Sequence, residues 1–210
     1  MSPNHYNLLI KNKISPFKKN INVDSDKSIS IRSFLISSIS QNISSVQNAL
    51  MSDDVKSTIK CLRELGVKIL KRKDNSFLIY GKGLGSLCAK KNSSLNFGNS
   101  GTLARLLIGI LSTTPNIHIK VRGDHSLNKR SMKKLIYLMS KFGASFYPKN
   151  KFKFPLKIVS TNMPIGINYN SGVSAQLKSA VILAALNSFG ITEIYEKEES
   201  RNHTENMLLK

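Results

Sequence analysis

The sequence predicts a mixed α/β fold, built from repeats of a β-α-β-α-β-β unit around buried helices. Three observations predict it. First, three short segments recur at a fixed step: Ser28, Gly101 and Ser174 are separated by 73 residues each time, as are Arg32, Arg105 and Lys178. Leu35, Ile108 and Val181 keep the same step and are apolar in all three copies. Second, each recurrence opens an apolar run of helical length, ending near Ile39, Leu111 and Leu186. Third, Gly66 and Gly143 sit where a second helix in each of the first two copies should stop. A fixed period of this size marks stacked supersecondary units.

Each element then follows in order. An extended stretch opens each copy: Asn20 to Val23, Ser94 to Phe97, and Ile165 to Tyr169. The first helix comes next, with small or hydroxyl residues at its start. A second strand is expected at Ser45 to Leu50, Ile117 to Arg122, and Ile191 to Tyr195. The second helix follows. Two strands close the first copy, Val67 to Lys71 and Phe77 to Tyr80, and two close the second, Ser145 to Tyr147 and Leu156 to Val159. The expected division is an N-terminal segment, 1–19, and one lobe, 20–210, with repeats at about 20–90, 91–162 and 163–210. The third repeat is read as cut short, because its second helix begins only near Arg201 and no closing strands follow.

Composition narrows the partners. The 210 residues are 40% hydrophobic with modest Gly and Pro, which is a globular balance. The formal net charge of +20 favours phosphates, carboxylates, nucleic acid or anionic membranes. Part of it is compositional, since the chain is rich in Lys, Asn, Ile and Ser. Cys61 and Cys88 have no metal spacing, and His5, His118, His125 and His203 are scattered, so no metal site is expected. A reduced, cytoplasmic protein with no membrane span and no signal-peptide pattern is expected. Phe and Tyr are dispersed, with no stacking platform, so nucleic acid is not the expected partner despite the charge.

Helix starts carry the candidate chemistry. An N-terminus presents unpaired N–H groups and the positive end of the helix dipole, and small residues let anions approach. Ser28 and Arg32 share a helix face, and Lys27 is read as lying just outside that helix. Together they offer an ammonium, a hydroxyl and a planar guanidinium fork. Gly98-Asn99-Ser100-Gly101-Thr102 is a glycine-bearing turn without the P-loop lysine. Arg122 to Arg130 reads as a loop with a basic end, and Ser174-Ala175-Gln176 as an uncharged polar helix start. Ordinary capping explains any one of these starts. Three aligned copies, each with a cation one turn on, favour a ligand.

Six segments in this order resemble the enolpyruvyl transferase family. From Ser15 to about Lys210 the chain is similar to the first half of 3-phosphoshikimate 1-carboxyvinyltransferases. The segments are Asp26-Lys27-Ser28-Ile29-Ser30-Ile31-Arg32; Ser52-Asp53-Asp54 with Leu65-Gly66; Gly98 to Thr102 with Arg105; Gly123-Asp124 to Arg130 and Met132; Ser174-Ala175-Gln176 with Lys178-Ser179-Ala180; and Ser200 to Glu205. The resemblance implies one lobe of an inside-out α/β barrel. It implies transfer of the enolpyruvyl group of phosphoenolpyruvate to the 5-hydroxyl of shikimate 3-phosphate, with no metal and no organic cofactor. It implies shikimate 3-phosphate binding by Lys27, Ser28, Arg32, Ser174, Ala175, Gln176 and Arg201. Phosphoenolpyruvate would fall to Lys27, Gly101, Arg130 and Gln176, with Asn99, Thr102 and Arg105 in support.

The catalytic acid and base are not implied in this lobe. A C-terminal lobe is expected to supply them, and the 210 residues alone are expected not to turn over. Three departures stand out: Asp24-Ser25 for the family's Pro-Gly, Ser131 for Pro, and Asn202 for Asp. The sister enzyme acting on a UDP-amino sugar carries Lys-Asn in place of Lys27-Ser28, and a loop cysteine absent from 122–130. A basic RNA-binding module remains the reading from a different class, and a steep salt dependence of RNA binding would mark it.

Overall fold

The structure is a computed structural model and describes residues 23–90 and 93–209, with Leu9, Lys11 and Lys18. Of the first expected strand, residues 20–22 lie outside the described residues, and Val23 is not in a strand.

Three long apolar helices form the centre: α1 (Lys27–Ile39), α3 (Gly101–Thr113) and α6 (Ala175–Ala185). Twelve of the thirteen residues of α3 are buried, so it is enclosed on all sides, and the exception is Arg105. It packs against α6 and α1. Around them lie two amphipathic helices, α2 (Asp53–Glu64) and α5 (Lys133–Lys141). Val55, Ile59 and Leu62 make the buried stripe of α2, and Leu135, Leu138 and Met139 that of α5.

The strands repeat one pattern. Strands β1 (Ile43–Val46), β2 (Lys68–Lys71) and β3 (Phe77–Tyr80) pair antiparallel in the order β1-β3-β2. The second sheet has β4 (Ser94–Asn96), β5 (His118–Arg122), β6 (Ser145–Tyr147) and β7 (Leu156–Val159), in the order β4-β5-β7-β6. There β5-β7-β6 repeats β1-β3-β2, and β4 lies parallel to β5. In the third sheet β8 (Asn168–Ser171) lies parallel to β9 (Glu193–Glu196), as β4 does to β5. The chain closes with α7 (His203–Leu208).

Several expected boundaries move. The strand expected at Ser45 to Leu50 is β1 instead, because Asn42 and Asn48 take φ of 67° and 51° and bracket it. The strand expected at Ile165 to Tyr169 starts at Asn168, and Ile165 makes only an isolated bridge to Phe189. The segment read as a loop after Arg122 contains a one-turn helix, α4 (His125–Lys129). The Asp124 carboxylate accepts from the Leu127 N–H at 2.7 Å, and Leu127 is buried beneath it. Gly66 and Gly143, at φ of 85° and 107°, end α2 and α5 as expected.

The start of α1 also differs. Asp26 is its N-cap, accepting from the Ile29 N–H at 2.7 Å, so Lys27 lies in the helix and Ser28 is not the cap. Asp26→Ala is expected to cost about 1 kcal/mol, read from the urea midpoint at unchanged slope.

Candidate functional site

The starts of α1, α3 and α6 each carry a capped first turn. Ser100 Oγ accepts from the Leu103 N–H at 3.2 Å, and Ser174 Oγ accepts from the Leu177 N–H at 3.4 Å. Capping therefore occupies one hydroxyl at the head of α3 and one at the head of α6. Each of these hydroxyls keeps its own O–H to donate to a ligand, alongside the neighbours of the caps.

One cluster gathers at Gly101. The Arg105 guanidinium donates through Nη1 to the Gly101 carbonyl and to Gln176 Oε1, both at 3.0 Å. Gln176 Nε2 donates to Thr102 Oγ1 at 3.0 Å. Arg130, on the rim, donates through Nη2 to Asn99 Oδ1 at 3.0 Å. A Cβ built on Gly101 would meet Arg105 Nη1 at 2.8 Å and Arg130 Nη1 at 3.1 Å. Two guanidiniums thus converge over one helix start, so closely that a Cβ there would push Arg105 aside. Burial pulls Arg105 below the usual arginine range, and the charge of Arg130 pulls it further. An anion there would relieve that repulsion. A cavity of about 330 Å³ adjoins this cluster, lined by Arg105, Ser131, Met132, Lys134 and Ser174 among others.

Gly101→Ala tests this close approach. The atoms it would displace are ends of flexible side chains rather than backbone. Its unfolding midpoint should stay close to wild type, while protection of the Arg130 side chain by inorganic phosphate from arginine-specific modification should fall several-fold.

The second cluster surrounds Arg32, which is 4% exposed. Its Nη1 donates to the Ser28 carbonyl at 3.1 Å, Nη2 to Ser179 Oγ at 3.1 Å, and Nε to Thr204 Oγ1 at 2.8 Å. Three of five N–H donors are used, so two remain for a ligand. Burial lowers the Arg32 pKa most, Arg201 lowers it further, and Asp26 and Glu205 oppose them. A second pair of like charges thus stands near the start of α1.

Other expected residues behave differently. The Lys27 ammonium pairs with Asp54 at 3.2 Å and links the heads of α1 and α2. Ala175 is buried, so only its backbone could serve a ligand. The expectation that all three first helices offer a ligand-facing cation fails at Lys178. That ammonium is held by Glu196 at 2.7 Å and Glu205 at 2.6 Å. Burial pulls Lys178 down, but the hydrogen bonds and charges of Glu196 and Glu205 outweigh it, and the net direction is up. Glu196 is drawn below the usual carboxylate range by its hydrogen bonds from Lys178 and Ser200.

The motif segments include Ser179, Thr204 and Glu205, but sequence reasoning gave them no role in this cluster, and it missed Glu196 altogether. A signal existed: Glu193, Glu196, Glu198, Glu199 and Glu205 are five of the twelve acidic residues in a chain of net charge +20.

Among the described residues no group of three or more His, Cys, Asp or Glu could hold a metal ion, and no helix is long and apolar enough to cross a membrane. Burial pushes the Cys61 thiol up to about 12, so it stays an unreactive thiol at neutral pH. A larger groove of about 710 Å³ runs along α2, past Met51, Ile59, Lys60 and Phe77. It shares no lining residue with either cluster.

This arrangement matches known proteins. The sequence model of EPSP synthase (3-phosphoshikimate 1-carboxyvinyltransferase) fits residues 11–210. The 3-phosphoshikimate 1-carboxyvinyltransferase of Bacillus velezensis is 40% identical over 199 residues, and that of Syntrophomonas wolfei 38% over 200. These alignments take in 94% and 95% of this chain, yet 46% of each relative. The chain thus spans about half the length of the curated relatives it matches. The EPSP synthase structure from Acinetobacter baumannii superposes with a TM-score of 0.83 at 35% identity, over 90% of this chain and 42% of that one. The architecture is that of one lobe of this α/β fold. By both sequence and fold, the chain belongs to the EPSP synthase (3-phosphoshikimate 1-carboxyvinyltransferase) family of transferases.

Proposed function

We propose that this chain is the shikimate 3-phosphate-binding lobe of an enolpyruvyl transferase of aromatic amino-acid biosynthesis. In the complete reaction, phosphoenolpyruvate adds to the 5-hydroxyl of shikimate 3-phosphate to give a tetrahedral adduct. Loss of inorganic phosphate from that adduct leaves the enol ether, 5-enolpyruvylshikimate 3-phosphate. The observation that carries the reading is the convergence of Arg105 and Arg130 on Gly101 at the start of α3, together with the buried Arg32 guanidinium in the first turns of α1. Two substrates rich in phosphate and carboxylate need such a charge field.

The residues divide as follows. Ser28, Arg32 and Arg201 hold the shikimate side, and Ser174, the Ala175 backbone and Gln176 hold its phosphate. Gly101 and Arg130 hold phosphoenolpyruvate, with Asn99, Thr102 and Arg105 setting the position of Arg130 and Gln176. Lys27 reaches both substrates once it leaves Asp54. No metal or organic cofactor takes part, and the site of action is the cytoplasm. Residues 20–210 act as one lobe of three repeats. A second lobe supplies the acid/base groups and closes over the substrates, so this lobe binds without turning over.

Thermal unfolding with and without millimolar shikimate 3-phosphate tests the reading. A ligand that binds only the native state raises the midpoint. The proposal expects a rise that equal inorganic phosphate does not reproduce. An equal rise with inorganic phosphate, or none with either, would count against it.

A further inference from the structure

The 73-residue repeat places Lys178 where the other two units carry Arg32 and Arg105. Neither arginine has an ion-pair partner among the described residues, whereas Lys178, 3% exposed, has two. Its carboxylates come from β9 and α7, so one ammonium ties both to α6. Glu196 Oε1 also accepts from the Ser200 N–H at 3.2 Å and the Ser200 hydroxyl at 2.6 Å. The segment between Glu196 and Glu205, which carries Arg201, is therefore pinned at both ends.

Ser179 and Thr204, the sequence neighbours of Lys178 and Glu205, continue the contact. Thr204 Oγ1 donates to Ser179 Oγ at 2.8 Å, and Ser179 Oγ donates to the Ala175 carbonyl at 2.7 Å. This directs both hydroxyl hydrogens away from Arg32, so both oxygens face its N–H groups as acceptors. Helix α7 has six residues, of which only Thr204 is buried. A helix that short does not hold itself in water, and little apolar area fastens it.

We propose that Lys178, Glu196, Glu205 and Thr204 form a positioning clasp, which fastens the Arg201 segment to α6 and fixes the guanidinium of Arg32 toward an acidic ligand. The ligand half of this inference rests on the shikimate 3-phosphate reading, and the clasp itself does not. Lys178 is then a positioning residue, diverted from ligand binding by its two glutamates.

Two measurements on the 210-residue chain test it. Thr204→Val keeps shape and removes the hydroxyl, and Thr204→Ser restores it. Calorimetric titration with shikimate 3-phosphate is expected to give a Kd roughly tenfold weaker for Thr204→Val, the scale of one hydrogen bond to a charged group, with recovery in Thr204→Ser. Unchanged affinity in Thr204→Val, or no recovery in Thr204→Ser, would overturn the ligand half. In parallel, amide hydrogen exchange is compared between wild type and Lys178→Met. Exchange at 196–208 should quicken at least about tenfold while α3 stays protected. Equal protection at 196–208 would overturn the clasp. Should wild type bind no shikimate 3-phosphate, the substrate reading fails, and exchange alone decides the clasp. Should Lys178→Met not fold, Thr204→Val takes its place in the exchange comparison.

Discussion

Replacing Gly109 by valine is expected to lower the thermal unfolding midpoint by roughly 10 °C. Gly109 lies in the second half of α3, directly against the backbone of Ala180 in α6. A Cβ there would lie 2.5 Å from the Ala180 carbonyl oxygen, 3.0 Å from its Cα and 3.1 Å from its carbonyl carbon. All three are backbone atoms, so no rotamer change can yield. The two helices would have to separate, and the interior they share would lose contacts along its length. Such overpacking costs about 3 kcal/mol, which is a large share of the whole stability of a small domain. Alanine should fall between, since its better helix propensity returns about 1 kcal/mol. Circular dichroism during heating checks both variants. A wild-type melt for Gly109→Val would contradict a close α3–α6 contact at Ala180.

Arg32→Met is expected to leave a folded chain that binds shikimate 3-phosphate at least about a hundredfold more weakly. A planar guanidinium can give a carboxylate two parallel hydrogen bonds, each charge-assisted and worth about 1.5–3 kcal/mol. Methionine keeps most of the buried stem and removes the fork. The hydroxyls of Ser179 and Thr204 still pair with each other, so neither is stranded. Loss of the cation also ends its repulsion with Arg201. The fold should therefore survive, and the loss should appear in affinity. Arg32→Lys should be intermediate, because a point charge stays but the fork does not. Calorimetry against both variants, with melts as controls, reads this directly.

The repeat was legible because it rests on local rules. A helix start needs a small or capping residue, a helix end favours Gly66 or Gly143, and a buried helix needs an apolar run such as 101–113. These signals recur at one step, so helix positions followed closely. Strand edges were less legible. Asn42 and Asn48 stop β1 by adopting positive φ, which many asparagines do not do. The one-turn helix α4 depends on a single Asp124 cap that reads equally well as a turn.

The candidate site divides the same way. Gly101, Arg105 and Gln176 were named from their motifs, and the structure brings them together by hydrogen bonds. The partners of Arg32 were not legible, since Thr204 lies 172 residues away in sequence. The fate of Lys178 was hidden for the same reason. Periodicity gave it the place of a ligand cation, and two distant glutamates changed its role.

The most direct test is an amide chemical-shift titration of the nitrogen-15-labelled chain with shikimate 3-phosphate. Saturable shifts are expected at 27–32, 101–105, 174–176 and 201–204, and equal inorganic phosphate should not reproduce them. Shifts scattered over the lysine-rich surface, or the same shifts with phosphate alone, would contradict the account and return the charge to a general affinity for anions.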